Sequence, residues 1–377
     1  MGRPTAVFVD RDAIKSNFDI AKSFSPNSKF VSVIKANAYG HGLKQVAQTL
    51  SKCTDAFGVA CIEEALLIRE AGIKNPVLLM EGFFSVEEIE IASKENFWLM
   101  VENQFHVDQI LSSKLSQPVK VWFGIDTGMH RLGFQGREVG INFQKLEASE
   151  NVQPSLVVSS HFSTADDLNS NTTKNQINNF DSSIKSNHLI NYKHEQSLSN
   201  SAGLIGWSGS RRDWQRPGYL LFGNSPFVQK HEVEKVLKPA MDFKSKIISL
   251  RDISAGESVG YGQNWTAKKQ TRIATVTVGY ADGYPRNAEN GTPTLVHGKR
   301  CPLVGRVSMD MITIDVTDIH HATIGDEVLL WGKELPVNEI AKYSNSIGWE
   351  LLSRITSRVP RHYLSLIHIS EPTRLHG

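Results

Sequence analysis

A lysine that closes an apolar run and is followed by small residues and two glycines is the first arrangement here able to do chemistry: Val31-Ser-Val-Ile-Lys35-Ala-Asn-Ala-Tyr39-Gly-His-Gly42. If the run is a strand of a β/α barrel, Lys35 stands at its carboxyl end, where such barrels build their active sites. An amine partly removed from water there loses its proton more easily and becomes a nucleophile suited to a Schiff base with an aldehyde. The competing reading is a strand-end lysine whose stem lies on apolar surface while the ammonium reaches solvent.

Other residues carry weaker signals of the same kind. His161 and Arg216 each end a short apolar segment, and Arg131 sits in a loop, Asp126-Thr-Gly-Met-His-Arg131-Leu-Gly. Taken singly, a satisfied core histidine, a surface ion-pair arginine and a loop arginine explain them. Tyr261 lies between Gly260 and Gly262; a phenol with an ordinary pKa of about 10 is a poor base unless hydrogen bonds or cations favour its anion. Ser201 opens the run Ala202-Gly203-Leu204-Ile205, either as a helix N-cap or as a donor set for an anion.

The elements that must hold these residues alternate for the first two-thirds of the chain. Strands are expected at 31–35, 57–60, 76–80, 97–101, 119–126, 155–162 and 196–200, with a weaker one near 213–216. Between them LKQVAQTL, IEEALLIREAG, SVEEIEIASKEN and QFHVDQILSSKL repeat apolar residues at three- and four-residue spacing, the mark of a helix with one buried face. The polar run 169–179 is expected as a surface loop leading into a helix. About eight strand–helix units imply a (β/α)8 TIM-type barrel over residues 1–230. An open doubly wound sheet is the runner-up, because periodicity does not separate the two. After residue 230 short β-rich runs with glycine turns at Gly256 and Gly298 predict a mainly antiparallel β-domain over 231–363. The end, LSLIHISEPTRLHG, continues neither pattern and reads as a non-native tail over 364–377.

Composition narrows the class. The chain has 377 residues, 41 Lys and Arg against 39 Asp and Glu, and a net charge of +2. That balance offers nothing to nucleic acid or an anionic membrane surface. Three cysteines, Cys53, Cys61 and Cys301, are spaced for neither zinc nor a disulfide framework, so no metal is expected. Asp10, Arg11 and Asp12 interrupt any leader-like apolar run, and no stretch approaches the ~20 apolar residues of a membrane span. A cytoplasmic protein is expected.

VIKANAYGHG resembles the lysine signature of the alanine racemases, enzymes dependent on pyridoxal 5'-phosphate (PLP). The likeness continues through DTGMHRLGF (126–134), SSHFSTAD (159–166), LSNSAG (198–203), RPGYLLFGNSP (216–226), VGYG (259–262), VGYADGYPR (278–286) and GRVSMDM (305–311). It implies a PLP-binding barrel followed by a β-domain, and racemisation of L- and D-alanine by two bases, with D-alanine a peptidoglycan precursor. Lys35 would carry PLP and serve one face of the substrate α-carbon, and Tyr261 of a partner subunit would serve the other in a homodimer. Tyr39, His161, Asn200, Ser201, Arg216, Gly218 and Tyr219 would bind the cofactor, with His161 hydrogen-bonded to Arg216 and Arg216 facing the pyridine nitrogen. Arg131 and the partner's Met309 would meet the substrate, and Asp166, Tyr280, Arg286 and Arg306 would line the entrance.

Two positions depart from the family pattern. Where many members carry a carbamylated lysine that orients the arginine, this chain has Gly124, so either a small anion takes its place or Arg131 is held less firmly. Where members often have a tyrosine, Ser357 aligns, which predicts a wider entrance and makes a broader substrate range more plausible. The rival readings are a broader amino-acid racemase of this fold, a non-catalytic PLP-binding barrel, and a PLP decarboxylase or aldolase. Neither a biosynthetic nor a catabolic role is favoured.

Overall fold

The computed structural model describes residues 2–365; residues 366–377 of the expected tail lie outside it. The first strand, β1 (Ala6–Asp10), precedes eight parallel strands: β2 (Lys29–Val33), β3 (Ala56–Val59), β4 (Val77–Leu79), β5 (Phe97–Val101), β6 (Val121–Gly124), β7 (Val157–Ser159), β8 (Glu195–Ser197) and β9 (Trp214–Gln215). These eight form a closed barrel in chain order, and β9 returns to β2 through the pairs Lys29–Trp214 and Phe30–Gln215. Closure, which periodicity left open, excludes the doubly wound sheet. Each strand falls within or beside its expected window, and most are shorter, because the windows included residues that curl over the barrel mouth.

Alternate residues of the strands face opposite ways. Val31, Ala56, Leu78, Met100, Trp122, Val157 and Trp214 fill the barrel interior. Trp98, Trp122 and Trp214 close its floor, with ring centroids 5.3–6.2 Å apart. The intervening residues, such as Phe57, Leu99 and Phe123, pack outward in the larger core with the helices. With the interior packed, only the carboxyl end has room for a ligand.

The second sheet comprises β10 (Met241–Ile253), β11 (Thr271–Val276), β12 (Pro293–Val296), β13 (Lys299–Pro302), β14 (Ile312–Asp315), β15 (Glu327–Trp331) and β16 (Arg361–Leu364) together with β1. All pairings are antiparallel except β1 with β16. The long β10 is irregular at Ile247/Ser249, and its two halves pair with β15 and β11. His297 and Gly298, both at positive φ, make the tight turn between β12 and β13.

Two expectations are corrected here. The expected barrel domain over residues 1–230 includes β1, yet its edges pair with β10 and β16 of the second sheet. Leu364 was assigned to the tail but pairs with Asp10 at the end of β16.

Phe123, wholly buried on β6, stacks on Phe134 at 4.8 Å and meets Phe143 edge-on at 5.7 Å. Phe123→Ala should lower unfolding free energy by about 3–5 kcal/mol. Urea unfolding checks this as a lower midpoint at unchanged slope; a midpoint near that of the parent protein would show that the site collapses without cost.

Candidate active site

The carboxyl ends of the barrel strands surround a cavity of about 700 Å³ lined by Lys35, Tyr39, Arg131, His161, Asp166, Asn200, Ser201, Arg216, Gly218 and Tyr219, among others. Lys35, Met80, Arg131, His161 and Arg216 also line an adjoining hollow of about 560 Å³ that reaches Glu81, Glu102 and Asp126. The ten expected barrel residues are thus brought together by the segments that follow five strands, β2, β6, β7, β8 and β9.

Lys35 follows β2 by two residues and leads a turn that the sequence did not signal. Ala36, Asn37, Ala38 and Tyr39 all have left-handed backbones, at φ 53, 54, 54 and 50°. For L-residues this costs roughly 1–2 kcal/mol each, so the surroundings must impose it. The Asn37 N–H donates to the Glu64 carboxylate. Asn37 Oδ1 accepts from the Leu43 N–H at 2.8 Å, and its carbonyl accepts from Gly42 at 2.9 Å. Arg361, from the second domain, donates to the Gly40 carbonyl at 2.7 Å. Strain held this firmly next to a lysine in a cavity is a mark of function.

Arg216 is only 3% exposed. One guanidinium nitrogen donates to Ser197 Oγ at 2.5 Å and the other to the Ser160 and Leu198 carbonyls at 2.7 and 3.3 Å. Its Nε is buried with no partner. The expected Arg216–His161 hydrogen bond is replaced by these contacts, because the carbonyls of the neighbouring strand ends reach the guanidinium first. Burial lowers Arg216 to about 10, which leaves it a cation at neutral pH. Burial, then the charges of Arg216, Arg131 and Lys35, push His161 down to about 3. His161 is therefore neutral.

The polar end of the cavity is built on the short helix Ser201–Gly206. Asn200, not Ser201, caps it, by accepting the Gly203 N–H at 2.9 Å. Ser201 Oγ instead accepts from the Gly218 and Leu220 N–H groups at 3.0 and 3.3 Å. A Cβ on Gly218 would lie 2.6 Å from the Tyr39 hydroxyl, so only glycine permits this close approach. Burial keeps Tyr39 a protonated phenol. The Tyr219 ring stacks on Trp349 at 3.7 Å and its hydroxyl donates to Asn338, which leaves only its backbone for a ligand.

The carboxylate of Asp126 organises the loop that carries Arg131. It accepts from the N–H groups of Gly128, Met129 and His130 and from Gln135 Nε2, and it contacts the His130 ring. Burial alone would raise this carboxyl, but those donors hold it below the usual range.

The remaining expected residues lie elsewhere. Tyr261, Tyr280, Arg286, Arg306 and Met309 belong to the second domain, and none lines the barrel cavity of its own chain. They form one surface: Gly262 faces the Arg306 guanidinium, the backbone N–H groups of Tyr280 and Ala281 donate to the Ser308 and Met309 carbonyls, and Arg286 and Arg306 share a hollow. Tyr261 is 71% and Met309 52% exposed.

Two features have no counterpart in the sequence analysis. Glu102 follows β5 as Lys35 follows β2, so the strand-end argument could have found it. Burial pushes its carboxyl up to about 7, opposed by Arg131 and Arg216 and aided by Glu81. Trp349, Glu350 and Ser353, from the second domain, wall the barrel cavity; no local pattern announces that. Ser357 does not line it, so the expected widening at that position is corrected: the wall here is Trp349. Among the described residues no group of three or more His, Cys, Asp or Glu is arranged to hold a metal.

Comparison with known proteins agrees with this architecture. Residues 9–226 match the alanine racemase N-terminal domain and residues 240–363 the C-terminal domain. An alanine racemase of Vibrio cholerae is 42% identical over 361 residues, 96% of this chain and 98% of that one. One of Xanthomonas campestris is 42% identical over 97% of this chain and 99% of its own. The crystal structure of the biosynthetic alanine racemase of Pseudomonas aeruginosa superimposes with a TM-score of 0.92 at 40% identity, covering 97% of this chain and all of that one. Matched by both domain families along nearly its whole length, with the lysine-bearing barrel and the β-domain in the same order, this chain belongs to the alanine racemase family.

Proposed function

We propose that the protein interconverts L- and D-alanine with PLP held in the barrel cavity by Lys35, and that two copies of the chain share each site. The observation that carries this reading is Lys35 in a cavity with Arg216, whose buried Nε lacks a partner.

The residues present fit PLP. The unanswered Arg216 Nε suits an aromatic nitrogen acceptor, and arginine offers a hydrogen bond without giving up its proton. The Tyr39 and Ser201 hydroxyls, Asn200 and the backbone at Gly218 and Tyr219 make a polar end suited to phosphate. Lys35 supplies the amine for the aldehyde. When bound, PLP supplies an electron sink that acidifies the substrate's α-carbon.

The chain's own groups then do the rest. Racemisation removes a proton from one face of that carbon and returns one to the other, which two bases on opposite sides accomplish most simply. The Lys35 amine serves one face. The Tyr261 phenol serves the other. His161, held neutral, leaves the proton traffic to these two groups. Arg131 presents a fork to the substrate carboxylate. Asp166 sits at the cavity rim of its own barrel, while Tyr280, Arg286, Arg306 and Met309 come with the partner's Tyr261 surface.

Sharing between copies follows from Tyr261 standing exposed and outside its own chain's cavity. The β-domain that carries it also separates this reading from a barrel that only carries cofactor. No helix among the described residues is long and apolar enough to cross a membrane, and a cytoplasmic homodimer remains our reading.

Lys35→Ala should lose both the visible absorbance of bound PLP and turnover; racemisation at the parent rate would remove the lysine from the mechanism. Tyr261→Phe should slow exchange of the alanine α-proton with solvent deuterium from one enantiomer more than the other, by about 10²–10⁴-fold. An equal, slight loss from both would deny it the role of a base. Mixing the two inactive variants should restore activity, since a mixed dimer contains one site with both groups intact. Folded, mixed dimers without activity would sink the shared site.

A further inference from the structure

β5 and β6 are paired in register, Val101 opposite Phe123, which brings Glu102 beside Gly124 at the barrel mouth. A Cβ on Gly124 would lie 2.6 Å from Glu102 Cγ and 2.9 Å from Oε1. The missing side chain of one strand is therefore the seat of the carboxylate of the next. Glu102 is also tied to the loop that carries Arg131, because its carbonyl accepts the Gly133 N–H at 3.2 Å. Glu102 and Arg131 line the same hollow as Lys35 and Arg216.

Arg131 has no fixed anchor, Glu102 included. Among the described residues no hydrogen bond or ion pair holds its guanidinium. Of the two other acids that line the hollow, Glu81 and Asp126, Asp126 already accepts from three backbone N–H groups and Gln135. Arg216 has its own fixed partners. Glu102, seated beside Gly124 and lining the same hollow as Arg131, has its charged form favoured by that guanidinium.

We propose that Glu102 is a positioning residue: seated in the space Gly124 leaves, its carboxylate orients the Arg131 guanidinium toward the carboxylate of the substrate. This rests on the reading of Arg131 as the substrate's ligand. Gly124 is then a requirement of the site, since any side chain there displaces the carboxylate.

The test compares Glu102→Gln, Gly124→Ala, Arg131→Ala and the exchange Glu102→Ala with Gly124→Glu, all as holoenzyme above neutral pH. Glu102→Gln keeps the shape and removes the charge; Gly124→Ala keeps the charge and takes its seat. Both should raise KM for alanine about tenfold, the effect of losing one charge-assisted contact, with kcat changed far less. The exchange should return KM toward the parent value. A crystal structure of Glu102→Gln should show the Arg131 side chain moved or in several positions. Parental KM and an unmoved Arg131 in Glu102→Gln, beside a raised KM in Arg131→Ala, would overturn the proposal. Parental KM in Arg131→Ala would instead sink the reading of Arg131 on which it rests.

Discussion

A cation is buried at the mouth of the barrel, and the rest of the site is arranged around that fact. Removing a guanidinium from water costs several kcal/mol unless partners answer it. Arg216 spends two of its nitrogens on Ser197, Ser160 and Leu198 at the ends of adjoining strands. Its charge helps hold His161 neutral and pulls the Glu102 carboxyl back toward ionisation. Its Nε is the donor left for a ligand. Burial does most to set the protonation of His161 and Glu102, and this buried charge adds to it while its free Nε shapes what the cavity accepts.

The second domain belongs to this arrangement more closely than its place in the sequence suggests. Trp349 stacks on Tyr219, Asn338 accepts from the Tyr219 hydroxyl, and Arg361 holds the carbonyl of Gly40 at the end of the left-handed turn. The domain also claims the first strand of the chain, so the polypeptide starts in the β-sheet, passes through the barrel, and returns. This closure gives the turn that presents Lys35 a contact from the second domain. It also leaves Tyr261 exposed on the outer side of the second domain.

Much of the site was legible because barrel strands end where chemistry is done. Place after an apolar run singles out Lys35, whereas His161, Arg216 and Arg131 take their roles from the family resemblance; the structure gathers all four around the barrel mouth. Glu102 obeyed the same rule and was passed over. Ser201 was read with its cap alternative open; the structure gives the cap to Asn200 and turns the serine toward Gly218.

The sequence by itself determined the order of strands and helices, the change to an antiparallel texture after residue 230, and the residue types at the strand ends. Those are local properties: a buried face repeats every two or 3.6 residues wherever it lies in the chain. Only the tertiary structure decided that the sheet closes, that β1 joins the other domain, that four residues after Lys35 run left-handed, and that Glu102 fills the space beside Gly124. Each depends on groups distant in sequence meeting across a closed barrel or between domains, and no window along the chain records such a meeting.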